Sequence, residues 1–150
     1  MDYNRTHYTC VLPQQSINTL TNRKDTTMTN ETNELEELMA QCYGTEHYYK
    51  EILLSYRYTD GVKTFAMNAG NGAFWFLQEV NGMIVDNKIR QSDDDLTTIH
   101  LKVKDERADI IMQNNEKTYI KHIGYTDCPD GDWLFYYFTS SNVLIWNGEY

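Results

Sequence analysis

The residues of this chain that are suited to chemistry are histidines and cysteines from its central and C-terminal parts: Cys42, His47, His100, His122 and Cys128. A zinc site needs ligands at short, regular spacing, and no two cysteines of this sequence stand two residues apart. Cys42 lies five residues before His47, but it continues an apolar stripe and is better explained as a core residue. We therefore expect no metal site and no cofactor.

General acid–base catalysis by the histidines is the enzymatic alternative. A histidine held beside a carboxylate can transfer protons, but no Ser or Cys of this chain lies in a recognisable nucleophile motif. The alternative is a small enzyme that acts on a nucleotide-like ligand through His47, His100 and His122. We expect instead that the protein is not an enzyme.

Two acidic segments and one glycine-rich loop are candidates for ion binding. A calcium-binding loop of the EF-hand type needs alternating oxygen ligands, a central glycine and a glutamate at the twelfth position. Neither Asp93–Asp95 nor the turn Asp127–Asp132 fits that whole pattern. Gly70–Gly72 follows a predicted helix, whereas a phosphate-binding loop follows a strand and continues into Lys-Ser/Thr. We expect solvated turns in the first two segments and a break between helices in the third.

The charge of the chain indicates its partners. It contains 22 acidic and 13 basic residues, for a net charge of −9. Residues 1–30 carry +1, so residues 31–150 carry −10; the charged residues of the N-terminal part are Arg5, Arg23 and Lys24 against Asp2 and Asp25. A folded body of that charge repels phosphate backbones and attracts basic protein surfaces.

The aromatic strand Trp133–Phe138 is similar in composition to a base-stacking platform. Such platforms work together with a positively charged groove, whereas the charges nearest to this strand are those of Asp130 and Asp132. We expect no direct binding of nucleic acid, and we expect the strand to be buried on both faces.

The N-terminal residues differ in composition from the rest. Residues 1–30 are predicted to be a flexible extension, because they contain too little apolar area to offset the entropy of ordering, and Met28 is a possible natural start. Residues 31–150 are predicted to form one domain. The odd, widely spaced cysteines and the lack of a signal or membrane span indicate a cytoplasmic protein.

Apolar periodicity predicts an α+β fold with about four N-terminal helices. The first spans Asn33–Cys42, and the second starts after Thr45 and includes the apolar residues from Tyr48 to Tyr56. The third follows the turn Tyr58–Gly61, which Thr59 or Asp60 caps. The fourth spans Ala73–Val80.

The period changes to that of strands after a linker at Asn87–Asp95. Strands are predicted at residues 99–104, 107–113, 118–124, 133–139 and 143–146. Because short connections join antiparallel strands, we expect a meander of four or five strands packed against the helices.

Four segments resemble a family of small bacterial and phage proteins that is catalogued as a domain of unknown function. They are GTEHYYK at Gly44–Lys50, YTDGVKTFAMNAGNGAFWFLQEV at Tyr58–Val80, IGYTDCPDGDWLFYYF at Ile123–Phe138 and the final NGEY. The resemblance implies a small α+β protein of mobile elements in a bacterial cell, and no catalytic residue comes with it.

Small acidic proteins of mobile elements include inhibitors of defence nucleases, such as anti-CRISPR proteins. The resemblance and the charge together predict an inhibitor that docks on the basic groove of a nucleic-acid-guided nuclease or disturbs its guide RNA. The predicted contact residues are acidic: Glu34, Glu36, Glu37, Asp93, Asp94, Asp95, Asp105, Glu106 and Asp109. A third possibility is an adaptor protein that forms a homodimer through its aromatic sheet.

Overall fold

The computed structural model describes residues 24–115 and 117–150, which form three helices and one seven-stranded sheet. The helices are α1 (Lys24–Met39), α2 (Asp60–Asn68) and α3 (Phe74–Asp86). The strands are β1 (Tyr48–Lys50), β2 (Arg57–Thr59), β3 (Leu96–Lys104), β4 (Arg107–Gln113), β5 (Thr118–Ile123), β6 (Gly131–Phe138) and β7 (Val143–Trp146). Short 3₁₀ turns occupy Ile89–Gln91 and Asn147–Glu149.

The sheet has the strand order β1-β2-β7-β6-β3-β4-β5. All neighbours are antiparallel except β2 and β7, which run parallel. The predicted α+β class is confirmed, and all five predicted C-terminal strands are present. They do not form a simple meander, because the connection after β5 carries the chain past β4 and places β6 on the other side of β3.

Aromatic side chains fill the core between the helices and one face of the sheet. Phe65 of α2 lies 5.3 Å from Phe135 and 5.5 Å from Trp133, measured between ring centroids. Phe76 of α3 lies 5.0 Å from Phe135. Edge-on and tilted contacts at these distances are favourable for aromatic rings, so Phe135 joins both helices to β6. Cys42 is buried, as predicted.

The prediction of a second helix, after Thr45, is wrong. The segment from Tyr48 to Thr59 contains the short strands β1 and β2 instead, with a loop between them. Tyr56 and Tyr58 are fully buried on either side of exposed Arg57, which is the alternation of a strand. The same apolar residues fit the spacing of a helix as well as that of a strand. Pairing with β7 makes the end of this segment a strand.

The prediction that the aromatic strand is buried on both faces is also wrong. In β6 the residues Trp133, Phe135 and Tyr137 are buried, and those between them are only partly covered. The helices cover one face of the sheet, so alternate side chains of β6 project from the other.

The N-terminal prediction can be compared with the structure only in part. Residues 1–23 of the predicted extension lie outside the described residues, and α1 starts at Lys24, nine residues before the predicted helix. Met28 therefore falls within α1.

Candidate functional site

The first candidate site is an acidic groove of about 420 Å³ between α1 and two loops. Four carboxylates and two leucines contribute to its lining: Glu31, Glu34, Leu35, Leu38, Glu106 and Asp127. The α1 residues recur at intervals of three and four positions, so they lie along one side of the helix. The groove therefore combines negative charge with apolar surface.

The loops of the groove are held by a contact between two segments far apart in the sequence. The Asn71 N–H donates to the Asp127 carboxylate at 2.9 Å. Gly70 has φ +61°, and a Cβ at this position would lie 2.5 Å from the Asp127 carbonyl oxygen. Only glycine fits such a close approach in the left-handed region. The loop Gly70–Gly72 thus serves to break two helices, as predicted, and to fix Asp127 in the groove.

Helix α1 is fixed to the same loops by its own polar residues. The Thr32 hydroxyl donates to the Asp130 carbonyl at 2.9 Å, and the Asp130 carboxylate accepts from the Asp105 N–H at 3.1 Å. Leu35 of the same helix is buried. Among the described residues, no basic side chain forms an ion pair with any of the four groove carboxylates. Like charges that share a groove repel one another, so a cationic ligand would be favoured there.

The predicted contact residues fall into separate places. Glu34 and Glu106 line the groove, and Asp105 precedes Glu106 in the turn between β3 and β4. Glu36 and Glu37 are exposed on α1 outside the groove lining. Sequence reasoning missed Glu31 and Asp127. Glu31 carried a usable signal, since it stands three residues before Glu34 in helical spacing.

The remaining predicted acidic residues lie away from the groove. Asp94 accepts hydrogen bonds from Asn115, and Asp95 accepts one from the Ser140 N–H at 2.8 Å, which lowers the pKa of its carboxyl. Asp93 is exposed next to them. Asp109 contacts His122 across β4 and β5. Asp93, Asp94 and Asp95 thus belong to the segment before β3, and Asp109 belongs to β4.

A second cluster surrounds the buried carboxylate of Asp60 at the start of α2. It accepts hydrogen bonds from the Tyr49 hydroxyl at 2.7 Å and the Glu46 N–H at 2.8 Å. The imidazole Nδ1 of His47 lies 3.5 Å from it, and about half of the His47 side chain is exposed. A buried carboxylate at this distance can orient an imidazole.

Glu149 completes this cluster from the last described segment. Its carboxylate accepts hydrogen bonds from the Thr59 hydroxyl at 2.6 Å, the Gly61 N–H at 2.8 Å and the Trp146 N–H at 2.9 Å. Burial raises the pKa of Glu149 above its usual value, and the negative charge of Asp60 adds to that rise. Helix α2 is thus capped by Glu149, whereas the predicted Thr59 cap makes no side-chain hydrogen bond to the helix.

The three candidate histidines do not converge on one site. His47 precedes β1 at one edge of the sheet, and His122 belongs to β5 at the opposite edge. His100 lies 3.3 Å from Asp132, and His122 lies 2.6 Å from Asp109. The described residues contain no group of three or more His, Cys, Asp or Glu side chains arranged to hold a metal ion.

The two clusters unite segments that are far apart in the chain. The YTDG turn meets the final NGEY at Glu149, and the loop GNG meets the YTDCP turn at Asp127. Every one of these segments lies within the region that a family model matches, residues 33–150. No curated protein and no solved structure matches the chain.

No helix among the described residues has the length and apolar character to span a bilayer. The region matched by the family model covers most of the 150 residues. It includes the Asp60 cluster and every groove-lining residue except Glu31. The chain belongs to DUF6876, a family of unknown function.

Proposed function

We propose that this protein is a non-enzymatic binding protein whose acidic groove accepts a basic segment of a partner protein. The observation that carries the proposal is the set of four groove carboxylates, none of which is paired with a basic side chain of the described residues. Lysine and arginine side chains inserted between α1 and Asp127 would offset this negative charge.

The apolar part of the groove supports the same ligand class. Lysine and arginine place their aliphatic stems on apolar surface while the charged ends reach polar groups. The partly exposed Leu38 offers such a surface in the groove that Glu31 and Glu34 also line. The planar guanidinium of arginine also binds carboxylates in a bidentate manner, so an arginine-containing segment is the best fit.

The target class that we propose is a nucleic-acid-guided nuclease of a bacterial defence system, with this protein as its inhibitor in the cytoplasm. Such enzymes hold guide and target strands in long basic channels, as the charge of nucleic acid requires. A body with a charge of −10 over residues 31–150 complements a channel of that kind and accelerates association with it. The proposed mode of inhibition is occupation of the channel or interference with guide RNA binding.

The partner is to be identified first, by capturing the tagged full chain from a host that expresses its defence systems and analysing the co-purified protein and RNA. Affinity is then measured at increasing salt. We expect a steep loss of affinity, because exposed charges are screened at high ionic strength. A salt-independent affinity would contradict charge-driven docking, as would tight binding of the protein alone to bare RNA or DNA.

Charge reversal locates the contact on the protein. The double variant Glu34→Lys/Glu106→Lys reverses two groove charges, and Glu36→Lys/Glu37→Lys makes the same change in net charge outside the groove lining. We expect the groove variant to lose at least about tenfold more affinity than the control. Equal losses would show that only the net charge matters.

The arrangement of His47 and Asp60 favours one other candidate function, proton transfer on a small nucleotide-like ligand. The buried Asp60 carboxylate would orient the imidazole of His47 through Nδ1, and Nε2 of the imidazole would act on the ligand. Replacing His47 by Ala separates the two functions. Binding of the basic partner should survive this change, and any turnover should be abolished.

A further inference from the structure

The two edges of the sheet differ in their capacity to pair with another strand. The β1 edge is only three residues long, and short edge strands are a common protection against unwanted pairing. The β5 edge is six residues long and pairs with β4 one residue to one, without a bulge. Within the described residues no strand pairs with the other side of β5, so its outward backbone groups can accept an added strand.

The side chains of β5 are divided between the two faces of the sheet. Lys121 points to the helical face, where its ammonium lies 2.9 Å from the Glu79 carboxylate of α3. Ile120 therefore projects from the opposite face, beside Ile111 of β4, and is 55% exposed. The edge thus presents an apolar side chain at its centre and holds its nearest charge in an ion pair.

The segment that contains β5 is close to neutral, whereas most of the folded body is strongly acidic. Residues 96–124 carry five basic residues (Lys102, Lys104, Arg107, Lys117 and Lys121) and four acidic ones (Asp105, Glu106, Asp109 and Glu116), for a net charge of +1. Residues 1–30 also carry +1, so the remaining segments, 31–95 and 125–150, carry −11. Like-charged surfaces oppose association, which disfavours dimers formed through those segments.

We propose that two copies of this chain associate by antiparallel pairing of β5 with β5 of the second copy, with Ile120 opposite Ile120. This inference does not rest on the function proposed for the acidic groove. The β5–β5 pairing joins the two sheets into one and buries the two exposed Ile120 side chains against each other.

The sequence of β5 favours this register over its neighbours. With Ile120 at the centre, Tyr119 faces Lys121 of the second copy and Thr118 faces His122, so no two lysines stand opposite each other. Moving the centre to Tyr119 places Lys117 opposite Lys121, and moving it to Lys121 opposes two identical lysines. Directly opposed like charges destabilise a strand pair, and an aromatic–lysine pair is favourable.

Sedimentation velocity of the full chain over a range of micromolar concentrations tests the proposal. We expect the mass to rise from that of one chain to that of two. Ile120→Lys opposes two ammonium groups and should raise the dissociation constant at least about tenfold. The control is Ile52→Lys, which adds the same charge in the loop between β1 and β2, where Ile52 is 96% exposed.

Complementary charges test the register itself. Ile120→Glu should also be monomeric alone, and an equimolar mixture of Ile120→Glu with Ile120→Lys should restore the dimer. In a Cys10→Ser background, Ile120→Cys should form a disulfide-linked dimer on oxidation, because directly opposed Cβ atoms of paired strands lie within reach of such a bond. Thr118→Cys and His122→Cys should cross-link efficiently only when mixed.

Three outcomes would overturn the proposal. They are a monomer at every concentration, a dimer that Ile120→Lys leaves unchanged, and cross-linking of Thr118→Cys alone as fast as that of Ile120→Cys. Thermal unfolding of each variant, monitored by tryptophan fluorescence, confirms that a loss of dimer does not reflect a loss of fold.

Discussion

The carboxylate of Glu149 accepts a hydrogen bond from the backbone N–H of Gly61 at 2.8 Å, across 88 positions of the sequence. This N–H belongs to the first turn of α2, where no intrahelical acceptor is available. A negative charge at the start of a helix is also favoured by the helix dipole. A side chain distant in the sequence therefore caps the N-terminus of α2.

Removing this cap should destabilise the fold. We expect Glu149→Ala to lower the free energy of unfolding by about 1–3 kcal/mol, because the variant leaves the Gly61 N–H and its neighbours without an acceptor. Urea unfolding followed by fluorescence measures the change. The control is Glu37→Ala, an exposed residue of α1 that should change stability by less than about 0.5 kcal/mol. Equal effects of the two substitutions would contradict the capping role.

The tight fit of Gly61 against Glu149 predicts coupling between the two positions. A Cβ on Gly61 would lie 2.7 Å from the Glu149 carboxylate and 2.8 Å from the Trp146 Cβ. We expect Gly61→Ala to cost about 1–3 kcal/mol. In the Glu149→Ala background the cost should be smaller, since one of the two clashes is gone. Strict additivity in this double-mutant cycle would show that the residues do not interact.

The raised pKa of Glu149 predicts a specific pH dependence. A carboxyl whose pKa is higher in the folded than in the unfolded state binds a proton more tightly when folded, so its contribution to stability falls as the pH rises. The stability of the wild type relative to Glu149→Gln should therefore decrease from below the ordinary glutamate pKa of 4.5 towards neutral pH. Urea unfolding of both proteins across this range measures the difference. An increase with pH would contradict the dominance of burial.

Cys128 should be inert in the native protein. Its side chain is buried, and burial raises the pKa of the thiol to about 12, with the Asp127 charge adding to the effect. The reactive thiolate is therefore scarce at neutral pH. In a Cys10→Ser variant, a chromogenic disulfide reagent should label Cys42 and Cys128 only after unfolding, because Cys42 is also buried. Rapid labelling of the folded variant would contradict this expectation.

Two glycine substitutions should change stability in opposite directions. Gly70→Ala places a Cβ at φ +61° and 2.5 Å from the Asp127 carbonyl, so we expect a loss of at least about 1 kcal/mol. Gly82 lies inside α3, and a Cβ there meets nothing within 4 Å. Gly82→Ala should therefore stabilise the protein by up to about 1 kcal/mol. Thermal unfolding of both variants measures this contrast, and a loss of stability in each would contradict it.

Local sequence patterns predicted most elements of the fold. The predicted first, third and fourth helices and all five C-terminal strands are present, because helical spacing and strand alternation report which side of an element is buried. The same patterns failed at Tyr48–Tyr56, where the apolar residues fit both periods. Pairing of Arg57 and Tyr58 with β7 makes the end of that region a strand, and no local signal specifies such a partner.

Two of the four groove carboxylates, Glu34 and Glu106, were predicted from the sequence, and Glu31 and Asp127 were not. The abundance of acidic residues in the folded part of the chain could be counted, and Glu34 and Glu106 were among the predicted contacts. Asp127 also lines the groove, because the Gly70–Gly72 loop packs against the turn after β5. Asp95 and Asp109 do not line it. Composition says how much charge a protein carries and nothing about which charges meet.

The amino-acid sequence alone specifies the charge of the protein, the periodicity of most of its elements and the segments typical of its family, since all of these depend on residue identity and near neighbours. Three-dimensional packing is needed to pair β6 with β3, to place Glu149 at the start of α2 and to bring four carboxylates to one groove. These contacts join residues far apart in the chain, and each depends on how the whole core packs.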